Sequence, residues 1–227
     1  WAALESASGQ PVTSIMDSWT KQMGYPVLQV NTAGTKEQPE LELSQQRFVY
    51  DALLGEGEPD PELWRVPIRI SSSGSSEATS LLMDERTVRT PLAHPSGQGQ
   101  NWFKVNPDQT GFFRVNYQAE DWQRLVPAVE SLELPASDRL GIQNDAYSLS
   151  RAGQLPVTQF LSLARAYGNE TDASVWGDLS SNLRDIEGML AGEPTHARFQ
   201  AFARGIFQPA VQRAGWDAKP GEGHLDA

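Results

Sequence analysis

The apolar residues of this 227-residue chain change period near residue 120, and that change limits the fold more than any other feature. From Tyr25 to Tyr117 they alternate. Trp64, Val66, Ile68 and Ile70 share one face while Arg65 and Arg69 share the other, as a half-buried strand requires. Pro67 interrupts that run and predicts an edge strand or a bulge. Similar runs at 27–30, 41–49, 80–83, 87–92, 102–106 and 111–117 are separated by Gly, Pro, Asn and Ser clusters. About seven short strands at this spacing predict an Ig-like β-sandwich. The stretches at 55–61 and 71–76 read as solvated loops.

Beyond Tyr117 the period becomes helical. Phe160, Leu163, Ala164 and Tyr167 form one stripe, and Trp176, Leu179, Leu183, Ile186 and Leu190 form another. The punctuation agrees, with Thr171 or Asp172 as a helix cap, Gly153 and Pro156 between two helices, and Gly192 and Pro194 between two more. Four helices are expected at roughly 137–152, 156–168, 173–190 and 195–213, with Pro209 kinking or ending the last. Short connections make neighbours antiparallel, which predicts an all-α HEAT/armadillo-like helical-repeat segment. The fold class is therefore multidomain α+β. Trp1 to Ser8, stopped by Gly9, and Pro11 to Trp19 read as two further helices ahead of the strands.

Composition removes several functions. The net charge of −11 is spread over both halves and disfavours nucleic-acid binding, even though 111–117 interleaves aromatics as a stacking strand would. No apolar run approaches a membrane span, and the start of the sequence has no signal-peptide pattern. The absence of cysteine excludes disulfide scaffolds and thiolate metal sites.

Catalytic motifs are missing as well. His94, His196 and His224 lie far apart, and no pair has the spacing of H-E-x-x-H. His224 has Glu222 and Asp226 nearby, but a residue leading into a helix is the simpler reading, and His94 beside Pro95 reads as exposed loop. There is no Gly-x-Ser-x-Gly elbow, and Gly55-Glu-Gly57 is followed by acidic residues where a phosphate loop needs Lys. Trp64, Trp102 and Trp176 fall on apolar faces and read as core. The segment Ser137 to Tyr147 mixes Asp138, Arg139, Asn144 and Asp145 among apolar residues, which suits interdomain ion pairs or the lining of a ligand cavity.

Six blocks carry a resemblance across nearly the whole chain: Pro11 to Pro26 with Ser44-Gln-Gln-Arg-Phe48, Trp64-Arg-Val-Pro-Ile68, Asn106-Pro-Asp-Gln-Thr-Gly-Phe-Phe-Arg-Val-Asn-Tyr117, Asp138-Arg-Leu-Gly-Ile-Gln-Asn-Asp145 with Ser150-Arg-Ala-Gly153, Val175-Trp-Gly-Asp-Leu179, and Gly215 to Ala227. In this order they resemble the zinc aminopeptidase family that includes aminopeptidase N. The last block resembles its puromycin-sensitive branch.

The resemblance implies a division into the last helices of a thermolysin-like catalytic domain at 1–24, a β-sandwich at 25–117 and the start of a C-terminal helical domain at 118–227. It implies a cytoplasmic parent that removes amino-terminal residues from peptides with zinc held by H-E-x-x-H and a downstream Glu. None of those motifs is in this sequence, nor is the family's G-x-M-E-N, so no catalytic or metal residue is assigned here and no cofactor is expected in this chain. The expected role is a spacer plus helices that enclose a peptide cavity, with Asn144, Asp145 and Tyr167 as candidate lining residues. Expected partners are the parent's peptide substrate, its catalytic domain and its remaining C-terminal helices. The alternative is a stand-alone peptide- or protein-binding module without catalytic activity; an independent metal-free hydrolase has no residues to support it.

Overall fold

The computed structural model describes residues 1–35, 38–50, 61–92 and 102–215. The expectations placed on His94, on most of the 55–61 loop and on Glu222, His224 and Asp226 lie outside these residues. The chain divides into two compact units between Leu125 and Val126.

The first unit opens with α1 (Ala2–Ser8) and α2 (Val12–Thr20). Gly9 ends α1 at φ 65°, donating its N–H to the Glu5 carbonyl as a left-handed C-cap does. Seven strands follow: β1 (Pro26–Gly34), β2 (Pro39–Arg47), β3 (Val66–Ser72), β4 (Thr79–Met83), β5 (Thr87–Pro91), β6 (Phe103–Val105) and β7 (Arg114–Tyr117). They form two sheets, ordered β5-β2-β1-β7 and β4-β3-β6. All neighbours are antiparallel except β1 and β7, which run parallel with Val27 opposite Arg114.

The alternation in β3 buries Val66, Ile68 and Ile70 and exposes Pro67 and Arg69, as the sequence predicts. Pro67 does not, however, mark an edge strand, because β3 is the middle strand of its sheet. At Pro67 only β4 is paired, opposite Leu82, and pairing with β6 begins at Ile70. The missing N–H therefore leaves the β6 ladder intact. The run at 111–117 yields a strand only from Arg114. Before it, Asn106, Asp108 and Gln109 all adopt positive φ, and the Asn106 amide both donates to and accepts from the Gly111 backbone. That turn consumes the residues that alternation alone assigns to a strand.

Two polar side chains join the sheets from inside. Gln45 of β2 donates to the carbonyls of Trp64 and Glu85 and accepts from the Trp64 N–H, all at 2.9 Å. Tyr117 of β7 accepts from the Val105 N–H of β6 at 3.0 Å. Helix α2 is fastened to the same unit, as Trp19 Nε1 donates to the Arg65 carbonyl and Arg65 Nη1 to Ser14 Oγ.

The remaining elements are α3 (Ala119–Glu130), α4 (Ala136–Arg151), α5 (Val157–Ala164) with a 3-10 turn at Arg165–Asn169, α6 (Ala173–Met189) and α7 (His196–Ala214). Helix α3 was not among the expected four. Its first turns belong to the first unit, where Trp122 meets the Tyr117 ring edge-on at 5.0 Å and Thr32 bonds Asp121. The other four fall within a few residues of their expected places. Both stripes are buried at Phe160, Leu163, Ala164 and Tyr167 and at Leu179, Leu183 and Ile186. Pro209 does not end α7, which runs on to Ala214. A proline removes one donor, and the neighbouring turns of a long helix carry the segment past it.

Candidate functional site

The polar residues of α4 supply the chemistry of the second unit, and α6 receives most of it. Asp172 caps α6, its Oδ1 accepting from the N–H groups of Ser174 and Val175 at 2.9 and 3.1 Å. This fixes α6 against α4: Gln143 Nε2 donates to the Val175 carbonyl at 2.9 Å, and the Tyr147 hydroxyl donates to Asp185 at 3.0 Å. Burial, and then the Asp185 carboxylate, push the Tyr147 phenol up to about 12.

Asn144 lies in this seam. Its Nδ2 stands 3.3 Å from both carboxylate oxygens of Asp178, which also accepts from Asn182 at 3.1 Å. Asp145, the next residue, is buried. Tyr167 sits deeper, with its hydroxyl donating to the Arg139 carbonyl at 2.6 Å. Burial first, and the Glu170 charge second, hold this phenol well above its ordinary range, so it is a neutral donor.

Arg139 is the centre of that deeper layer. Its Nε and Nη2 each reach one oxygen of Glu170 at 2.6 Å, and Nη1 donates to the Leu134 carbonyl. Glu170 Oε1 also accepts from the N–H groups of Thr171 and Asp172 at 2.8 Å. Burial alone would raise this carboxyl; the Arg139 hydrogen bonds and the two backbone donors outweigh it and hold it below the usual range. Arg139 was expected to suit an interdomain pair. It pairs instead within its own unit, because the turn after α5 carries Glu170 back beneath α4.

The structure thus places Tyr167 on the Arg139 and Glu170 network, and Asn144 on the neighbouring α4 and α6 seam. Neither these two nor Asp145 lines an open groove between α6 and α7, which is walled by residues such as Leu183, Glu187, Phe199 and Phe207. Glu170 and Asp178 were not singled out in the sequence. Nothing local marks them, since their partners lie 31 and 34 residues away.

Zinc, which the resemblance implies for a parent enzyme, does not fit the residues described. His196 is engaged by Glu187, with Nε2 3.2 Å from Oε1, and among the described residues no three His, Asp or Glu side chains converge.

A model of the ERAP1-like C-terminal domain matches residues 102–227, from the end of the strands through the helices. The chain belongs to the ERAP1-like C-terminal domain family. This family's matched region contains Asn144, Asp145, Tyr167 and the whole Arg139 network. The full chain also aligns with Aminopeptidase M1-A of Oryza sativa subsp. japonica at 37% identity and with Aminopeptidase M1 of Arabidopsis thaliana at 35%, covering 25% and 26% of those proteins. Glutamyl aminopeptidase of Rattus norvegicus is 33% identical over 95% of this chain and 22% of its own length. The chain spans about a quarter of the length of the curated relatives it matches.

Proposed function

We propose that this chain is a non-catalytic portion of a zinc-dependent aminopeptidase of the puromycin-sensitive branch. The observation that carries this reading is the alignment of the whole chain with aminopeptidases, together with the absence of H-E-x-x-H from its sequence. In this reading the two sheets are an Ig-like sandwich acting as a spacer, preceded at 1–24 by the last helices of a catalytic domain. The helices from 118 onward begin a HEAT-like array that encloses a peptide cavity, with the catalytic domain and further helices as its partners. A cytoplasmic parent is consistent with a chain that has no cysteine.

Asn144, Asp145 and Tyr167 are the proposed cavity residues, and Asp145 gives the cleanest test. In a complete enzyme carrying this segment, Asp145→Ala should raise KM for peptides about threefold or more while leaving hydrolysis of a single-residue aminoacyl reporter unchanged. Unchanged peptide kinetics with a normally folded variant would remove the cavity role. Tyr167→Phe should act mainly on stability, because its hydroxyl is spent on the Arg139 carbonyl.

A further inference from the structure

We draw no further inference here: the strongest candidate, the aromatic surface patch of the first unit that runs from Trp19 through Phe112, Tyr25 and Phe48 to Tyr50 and leaves Phe112 and Tyr50 exposed, is an apolar face, and nothing in the structure shows what covers it.

Discussion

Glu170 is a buried junction of the second unit, since it satisfies Arg139 in two places and two backbone N–H groups besides. Replacing it with Gln leaves a buried guanidinium without its counter-charge. Glu170→Gln should therefore destabilise the second unit by about 3–5 kcal/mol, measured by urea unfolding. The pH dependence follows from the direction of the shift. A carboxyl held below its ordinary value of 4.5 contributes stability that is complete above that value and is lost as pH falls through the lower, folded value. The parent should lose stability below about pH 4.5, and Glu170→Gln should flatten that acid limb; an unchanged limb would mean that other carboxylates dominate it. Gln45 plays the corresponding part among the strands. Gln45→Ala removes two buried hydrogen bonds and a part-buried one, and leaves the Trp64 and Glu85 backbone groups short of partners. A loss of about 2–4 kcal/mol is expected from the first unit, read as a lower urea midpoint.

At the level of single elements, the punctuation of the helices can be tested directly. Asp172→Ala deletes the cap of α6 and should cost about 1 kcal/mol, seen as a lower Tm with unchanged helical content. That cap was legible in the sequence because its signal is local: a short acidic side chain just ahead of an apolar stripe. The strands and most helices were legible for the same reason, since Val66, Ile68 and Ile70 or Leu179, Leu183 and Ile186 announce their period within a few residues. Helix α3 was obscured by Pro127 inside it, and β7 was shortened by a turn that needs positive φ at Asn106, Asp108 and Gln109. Neither effect follows from hydrophobic period. The polar layer between α4 and α6 was legible only in part. Asp138 to Asp145 stood out by composition, but Glu170 and Asp178 acquire meaning only when the turn after α5 returns the chain beneath α4.

For the whole molecule, zinc hydrolysis sets the requirement to be met. A catalytic zinc needs three protein ligands and an open position for water, with a base beside it. This sequence has three histidines and no cysteine, and no two histidines stand at the spacing that would put them on one helical face. His196 is spent on Glu187, and the described residues hold no cluster of ligands. The match to aminopeptidases covers about a quarter of their length, so the alignment can be complete for this chain while the chemistry lies in the remainder. The purified chain should accordingly retain less than one equivalent of zinc after dialysis, measured by atomic emission, and should release no amino acid from an aminoacyl reporter. Turnover that survives repurification and disappears with a chelator would sink the proposal that this segment is non-catalytic. Turnover restored only by adding a separately expressed catalytic domain would instead locate the chemistry there.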